Sequence, residues 1–216
     1  MALTLVLGNK NYSSWSLRPY LALAHHKIPF DEIVIPLYEG DFKQAILRHS
    51  PAGKVPVLID GEITVWESLA ILEYLAEKFP KLALWPADPA ARAHARAIST
   101  EMHAGFAALR EACSMNLKRV PRPIIMPPAA VADVARITQI WNDTRARFGK
   151  GGKFLFGAFT AADCMYAPVA TRIRTYSIPV DLVASAYVDA IHALPAFIAW
   201  REAGLKEPWT MAYDHL

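Results

Sequence analysis

The hydrophobic and polar positions of the first 80 residues follow strand and helix periods in turn. Short apolar or β-branched runs predict strands, because such residues suit a pleated, half-buried surface. Runs with apolar residues three and four positions apart predict helices, because those positions share one helical face. On this basis we expect strands at residues 3–7, 30–37, 57–59 and 63–65, and helices at 16–26, 42–48 and 68–79.

The order of these elements, β-α-β-α-β-β-α, limits how they can pack. The first two strands are linked through a helix, so we expect them to be parallel neighbours with a right-handed crossover. Asp60-Gly61 is a residue pair favoured in tight hairpin turns, so the last two strands should be antiparallel. The pattern therefore predicts an α/β N-terminal domain with a four-stranded mixed sheet, which is the thioredoxin-like arrangement.

Beyond residue 89 the strand patterns largely disappear and helical patterns remain. Three prolines within residues 80–89 indicate a linker, and four within residues 121–128 indicate a loop. We expect helices at 90–115, 131–148, 160–170 and 189–203, the last one bending or restarting at Pro195. The predicted organisation is a thioredoxin-like domain at 1–80, a linker at 81–89 and an all-α, all-helical domain at 90–216.

Composition excludes several classes of function. The formal net charge is only +3 over 216 residues and the basic side chains are spread out, so we expect no nucleic-acid surface. We also expect no membrane contact, because no apolar run approaches the ~20 residues of a membrane span and no signal-peptide pattern is evident. Cys113 and Cys164 form neither a disulfide framework nor a metal-site pattern, which favours a reducing, cytoplasmic setting and no metal.

The helix start at Ser13-Ser14-Trp15-Ser16 has two interpretations. A serine before a helix is usually an N-cap, whose hydroxyl accepts a backbone N–H and stabilises the helix by ~1 kcal/mol. A helix N-terminus also favours anions, so a serine hydroxyl there could stabilise a thiolate. Only one serine can cap and three are present, so at least one hydroxyl is left for this second role.

Trp15 bears on the source of that thiol. A thioredoxin-like redox protein would carry Cys-x-x-Cys at this helix start, and here Ser13-Ser14-Trp15-Ser16 takes its place. The protein therefore cannot form its own redox disulfide at this point. Any thiol must arrive with a small molecule.

Val55-Pro56 is a second candidate recognition point. A cis proline at the start of the third strand would leave the Val55 backbone N–H and C=O open to pair with a peptide-like ligand. The alternative is a plain loop that enters an edge strand. The residues alone leave both interpretations open.

The third candidate recognition point is Glu67-Ser68, at the start of the helix over residues 68–79. The N–H groups of that helix and the Ser68 hydroxyl could bind a carboxylate, and Glu67 could pair with an adjacent ammonium. The alternative is a cap and a solvated acid. Taken together, the three points outline an α-amino acid end, a peptide-like middle and a thiol, which are the parts of glutathione.

The whole chain resembles the cytosolic-type glutathione S-transferases. Residues 13–23 are similar to the family's first helix start, 51–58 to its cis-proline segment, 67–75 to its γ-glutamyl site and 156–163 to the capping motif of its helical domain. The resemblance implies that Ser13 hydrogen-bonds the glutathione sulfur, with Ser14 as the rival and Trp15 beside them, while Ser16 or Ser14 caps the helix. It further implies that Lys54 approaches the glycyl carboxylate and that Val55 pairs with the cysteinyl backbone. Glu67 and Ser68 are implied to bind the γ-glutamyl group.

The implied activity is a serine-type glutathione transferase, in which the thiolate attacks an electrophilic small molecule. One alternative is a glutathione-dependent isomerase of maleyl-type acids, which Ser13-Ser14 favours because it resembles the zeta class. Trp15 speaks against it, since zeta-like sequences carry cysteine there. Other features are beta-like, so the class stays unassigned. A second alternative is a non-catalytic ligand- or partner-binding module of the same fold.

The resemblance also implies a homodimer and a pocket for the electrophile. We expect that pocket between the two domains, beside Ser13. Its expected walls are Tyr12, Trp15 and the middle of the long helix over residues 90–115, from Met102 through Phe106 to Met115.

Overall fold

The computed structural model describes residues 2–211. Its N-terminal part follows the predicted order, with each element within two residues of the expected bounds. In chain order the elements are β1 (Leu3–Gly8), α1 (Ser14–His25), β2 (Phe30–Ile35), α2 (Phe42–Leu47), β3 (Val57–Asp60), β4 (Ile63–Trp66) and α3 (Ser68–Lys78). The thioredoxin-like prediction is confirmed.

The four strands form one mixed sheet in the order β2-β1-β3-β4. Strand β1 runs parallel to β2 and antiparallel to β3, and β3 and β4 form the predicted antiparallel hairpin. The two faces of β1 belong to different cores: Leu5 and Leu7 pack with α1 and α3, whereas Val6 packs with Ile46 of α2. The sheet therefore lies between two helical layers, and its central strand leads directly to the start of α1.

The second part of the chain is all-helical, as predicted. Its helices are α4 (Pro89–Ala104), α5 (Ala107–Ala112), α6 (Pro128–Phe148), α7 (Ala161–Thr175), α8 (Leu182–His192) and α9 (Pro195–Lys206). The domain bounds 1–80, 81–89 and 90–216 stay a prediction. Residue 1 and residues 212–216 lie outside the described residues.

One helix prediction was wrong, and a second was wrong in where its helix begins. The single helix expected over residues 90–115 is interrupted, because Phe106 adopts a left-handed conformation with a φ of +59° and so ends the regular backbone ladder. The single helix expected over residues 189–203 is two helices. Helix α8 begins earlier, at a start capped by the Asp181 carboxylate, and α9 restarts at Pro195 as expected.

Helix α7 forms the centre of the helical part and packs against α1, α4 and α8. Its start is the predicted capping box, in which the Asp163 carboxylate accepts the Thr160 N–H at 2.8 Å and the Leu155 N–H at 3.1 Å. Asp163 is fully buried, and this burial raises the pKa of its carboxyl to about 6. The start of α7 lies near the end of α1, where the rings of His25 and Phe159 are 4.2 Å apart, and Arg172 near the end of α7 reaches Ser14 at the start of α1.

The structure also gives observations on membrane-spanning helices, metal-ligand clusters and the two cysteines. Among residues 2–211, no single helix is long and apolar enough to cross a membrane, and α8 and α9 meet that criterion only as a pair bent by 69°. In the same part of the chain, no three His, Cys, Asp or Glu side chains cluster as metal ligands would. Cys113 and Cys164 are buried free thiols.

Candidate active site

A cavity of about 520 Å³ lies where the start of α1, the Val55–Pro56 turn and the start of α3 meet α4 and the C-terminal segment. Its volume lies within the ~300–1,000 Å³ of typical ligand pockets. Six of the seven predicted site residues line it, and Ser68 does not. The lining comprises Tyr12, Ser13, Ser14, Trp15, Leu37, Tyr38, Phe42, Ile46, Gly53, Lys54, Val55, Pro56, Trp66, Glu67, His103 and Met211.

Ser13 is itself the cap of α1, so the expectation that Ser14 or Ser16 caps this helix was wrong. The Ser13 Oγ accepts the Ser16 N–H at 3.3 Å and donates its proton to the Ser16 Oγ at 2.8 Å. The Ser16 hydroxyl is fully buried and also accepts the Gly8 N–H at 3.1 Å. These bonds connect the end of β1 to the start of α1 and fix the Ser13 hydroxyl at the cavity wall.

Ser14 is held from the other domain. Its Oγ accepts a hydrogen bond from Arg172 Nη2 at 3.4 Å. Arg172 lies on α7, is 4% exposed, and also donates to the carbonyls of Cys113 at 2.7 Å and Pro168 at 3.2 Å. The guanidinium therefore places a positive charge directly behind the serine pair.

Trp15 packs between two arginines. The Arg18 guanidinium lies 4.1 Å from the Trp15 ring centroid and that of Arg110 lies 5.5 Å away, which are cation–π distances. Arg18 is almost completely buried, and burial, followed by Arg172 and Arg110, lowers its pKa to about 9. Arg18 is therefore a cation at neutral pH.

Ser68 is fully buried, and its hydroxyl accepts a hydrogen bond from Arg18 Nη1 at 3.3 Å. This contact engages the hydroxyl with Arg18 outside the cavity lining, and the expected role of Ser68 at the γ-glutamyl group stays a prediction. The backbone N–H groups at the start of α3 still lie next to Glu67, which does line the cavity.

Glu67 has an unusual backbone conformation, with a φ of +68° and a ψ of +124°. Such conformations cost about 1–3 kcal/mol for a residue other than glycine and cluster at functional sites. The Glu67 carboxylate lies 3.5 Å from His103 Nε2 of α4. Burial, then the nearby Arg18, lowers the pKa of His103, so the imidazole is neutral at pH 7. The pair joins the two domains across the cavity.

The Val55–Pro56 peptide bond is cis, as predicted. Val55 and Lys54 line the cavity beside the turn, which immediately precedes β3. Within residues 2–211, no backbone hydrogen bond uses the Val55 N–H or C=O. This backbone unit is therefore available to a peptide-like ligand, in the manner of a short added strand.

The expected electrophile pocket was partly wrong. Tyr12 and Trp15 line the cavity, but Met102, Phe106 and Met115 are buried in the core. The break at Phe106 ends α4 at Ala104, and from this helix His103 lines the cavity. The apolar wall is instead formed by Tyr12 with Leu37, Tyr38, Phe42 and Met211.

Sequence reasoning missed Arg18, His103 and Met211. An arginine between the apolar positions of a buried helix face is one signal that could have identified Arg18, since such a residue needs specific partners. His103 and Met211 carry no comparable signal, because the folds of α4 and of the C-terminal segment bring them to the cavity.

Family models match both parts of the chain. The N-terminal domain of glutathione S-transferases matches residues 12–78, and the C-terminal domain of the same family matches residues 89–203. Together the two models include almost every element from α1 to α9.

Curated relatives point the same way. The maleylacetoacetate isomerase of Rattus norvegicus is 32% identical over 201 residues, which cover 91% of this chain and 88% of the rat protein. A probable maleylacetoacetate isomerase of Caenorhabditis elegans is 41% identical over 95 residues, and a zeta-class glutathione S-transferase of Euphorbia esula is 39% identical over 77 residues. The chain spans only 44% and 34% of these last two proteins.

Solved structures show the same fold. A Burkholderia glutathione transferase homologue with bound glutathione superposes with a TM-score of 0.74 and 23% identity, covering 96% of this chain and 100% of the other. A glutathione S-transferase from the silkworm Bombyx mori, described as diazinon-metabolizing, also gives a TM-score of 0.74, with 19% identity and 95% and 98% coverage. With both domain models matched and a relative similar over nine-tenths of its length, the chain belongs to the glutathione S-transferase family.

Proposed function

We propose that this protein is a serine-type glutathione transferase that stabilises the glutathione thiolate at the start of α1 for attack on an electrophilic small molecule. The observation that carries the proposal is the convergence of Ser13, Val55 and Glu67 on one cavity of sufficient volume. These residues match, in order, a thiol, a peptide unit and an amino-acid head group. The chain itself supplies no cysteine at this point.

Ser13 is our candidate for the residue that donates to the sulfur. Its partner Ser16 can turn its own proton toward the Ser13 Oγ, which frees the Ser13 proton for the cavity. The Gly8 N–H, the Ser16 hydroxyl and the Ser13 hydroxyl would then form one chain of donors that ends at the thiolate. The α1 N-terminus and Arg172 add positive potential. Ser14, which Arg172 holds, is the rival donor.

The remaining contacts are proposed from position. Lys54 would pair with the glycyl carboxylate, and the Val55 N–H and C=O with the cysteinyl peptide unit. Glu67 would accept from the γ-glutamyl ammonium while the α3 N–H groups bind its carboxylate. Ser68 and Trp15 would support this end through Arg18.

The test is conjugation of glutathione to chlorodinitrobenzene by the wild type, Ser13→Ala and Ser14→Ala, with the exposed Ser185→Ala as a control. A hydrogen bond to a charged group is worth ~1.5–3 kcal/mol, so we expect Ser13→Ala to lose about 10- to 100-fold in kcat/KM. If both cavity variants keep full rates at neutral pH, the serine mechanism is wrong. Calorimetry with glutathione is the second readout, since absence of binding at millimolar concentration would favour a non-catalytic module.

A glutathione-dependent isomerase of maleyl-type acids is the second candidate, and Arg172 is the observation that favours it. Its guanidinium lies behind the serine pair, where positive potential attracts acidic substrates. The rat and C. elegans relatives are described as maleylacetoacetate isomerases. Cis-to-trans isomerisation of maleylacetone without net use of glutathione would support this candidate, and no turnover at high enzyme concentration would exclude it.

We further propose a homodimer and a reducing, cytoplasmic setting. The two buried free thiols are compatible with that setting. Strand β4 is an edge of the sheet, and Ile63 and Trp66 on its two faces are 51% and 42% exposed, so a second copy could cover part of this edge. Light scattering tests the dimer: a monomeric mass at micromolar concentration would exclude it.

A further inference from the structure

The loop that precedes Ser13 is held by the last residues of the helical domain. Glu207, at the end of α9, accepts the Lys10 N–H with Oε1 at 2.6 Å and the Asn11 N–H with Oε2 at 3.0 Å. Both carboxylate oxygens are therefore used on two successive backbone groups. These contacts join residues 197 and 196 positions apart in the chain.

The backbone of α9 lies directly against the same loop. A Cβ at Gly204 would stand 3.0 Å from the Asn11 nitrogen and 3.1 Å from the Lys10 carbonyl carbon, so a larger residue would require the loop backbone to shift by a few tenths of an ångström. Lys118 completes the arrangement, because its backbone N–H donates to the Asn11 Oδ1 at 3.0 Å and its ammonium donates to the Glu207 carbonyl.

Backbone hydrogen bonds within one turn connect this loop to Ser13. The N–H groups of Tyr12 and Ser13 donate to the Asn9 carbonyl at 3.1 and 2.8 Å. Displacing Lys10 and Asn11 therefore moves a turn whose next residue is Ser13. The Tyr12 hydroxyl also accepts the Met211 N–H at 3.2 Å, so the C-terminal segment holds this turn at a second point.

We propose that Glu207 is a positioning residue, which fixes the loop over residues 9–12 and so sets the orientation of the Ser13 hydroxyl toward the thiol. It lies about 200 residues away in the chain and is not among the residues that line the cavity. The inference rests on the proposed role of Ser13. The structural part of the inference, that the Glu207 carboxylate holds the loop, is independent of the role of Ser13.

The structural part is tested by amide hydrogen exchange in Glu207→Gln. A glutamine has one oxygen acceptor and presents an NH₂ group to the other N–H, so one loop bond is lost without a change of volume. We expect at least one of the Lys10 and Asn11 amides to exchange at least 10-fold faster, with the melting temperature lowered by only ~2–6 °C. Glu202→Gln, exposed on the same helix, is the matched control. Unchanged exchange in Glu207→Gln would overturn the proposal.

The functional part is tested by the pH profile of kcat/KM. We expect Glu207→Gln to lower kcat about fivefold, leave the KM for glutathione within twofold, and move the profile about half a unit higher in pH. A loss of folded enzyme would lower kcat without moving the profile. If the wild type conjugates glutathione and Glu207→Gln keeps its profile, the positioning role is wrong. If the wild type is inactive, the proposed function fails and the exchange result still decides whether Glu207 holds the loop.

Discussion

The starts of α1 and α3 resemble each other in sequence but differ in structure. Each has a serine at or next to its first residue and each meets the same cavity. Ser13 caps α1 and its hydroxyl stays at the cavity wall, whereas Ser68 is fully buried beneath the Arg18 guanidinium. At α3 the cavity is reached instead by Glu67, in a strained conformation and without a capping bond.

The difference shows that a serine at a helix start acquires its role from what packs over it. Arg18 belongs to α1 but bonds to the first residue of α3, so it joins the two helix starts. In the proposed site, the start of α1 would supply a donor for a thiolate. The start of α3 would supply the Glu67 carboxylate for an ammonium and backbone N–H groups for a carboxylate. The predictions below separate these two ends of the cavity.

Removing Arg18 should have the largest effect, because it disturbs both ends. Arg18→Ala deletes the packing of a buried side chain on Trp15 and leaves the Ser68 hydroxyl without its donor. We expect the free energy of unfolding to fall by about 2–4 kcal/mol, as for other large-to-small changes in a core. Urea denaturation measures it. A change below about 0.5 kcal/mol would show that Arg18 does not join the two helix starts.

Removing the Glu67 carboxylate should affect the head-group end alone. Glu67→Ala should weaken glutathione binding about 10-fold with little change in kcat, because the lost contact is made equally in ground and transition states. Glu62→Ala, at the exposed β3–β4 turn, is the control. Calorimetry and steady-state kinetics measure the two quantities. A fall in kcat at constant affinity would assign Glu67 to the thiol end instead.

Removing the Ser16 hydroxyl should affect the thiol end alone. Ser16→Ala takes away the partner of the Ser13 hydroxyl and the acceptor of the Gly8 N–H. One neutral hydrogen bond contributes about 1 kcal/mol, so kcat should fall about fivefold while glutathione affinity is kept. The control is again Ser185→Ala. Unchanged kcat would mean that Ser13 needs no support from Ser16.

The smallest effect concerns pH and His103. Burial, then Arg18, lowers the pKa of His103 in the folded protein, so the folded state binds fewer protons than the unfolded state below the ordinary histidine pKa of about 6.5. The stability from this group is therefore complete above that pH and is lost as the pH falls through the lowered pKa. Unfolding curves of His103→Gln should show a shallower loss between pH 7 and 5. A steeper loss of stability in His103→Gln would contradict a lowered pKa of His103 in the folded protein.

The sequence was sufficient for the order of elements and for the three recognition points at the cavity, but not for its apolar wall. Periodicity separates strands from helices, and Ser13, Val55 and Glu67 each follow or precede an element whose position the sheet topology fixes. It was insufficient wherever a long side chain selects its partner in three dimensions. Nothing in the sequence around Ser68 indicates that Arg18, 50 residues earlier, donates a hydrogen bond to its hydroxyl.

The break at Phe106 was missed for a related reason. Alanine-rich neighbours favour a helix on both sides, and Gly105 alone is tolerated inside one. The left-handed backbone at Phe106 places its side chain in the core, which local propensity does not reveal. Met102 and Phe106 both lie in the core, whereas His103 lines the cavity.

The proposed role of Ser13 is tested most directly by the pKa of the glutathione thiol in the enzyme complex, titrated through the ultraviolet absorbance of the thiolate. In the wild type we expect this pKa to lie well below the ~8.5 of a free thiol. In Ser13→Ala we expect it to rise by about one unit. Ser14→Ala should change it less. An unchanged pKa in Ser13→Ala with a rise in Ser14→Ala would contradict the assignment of Ser13 and give the role to the serine that Arg172 holds.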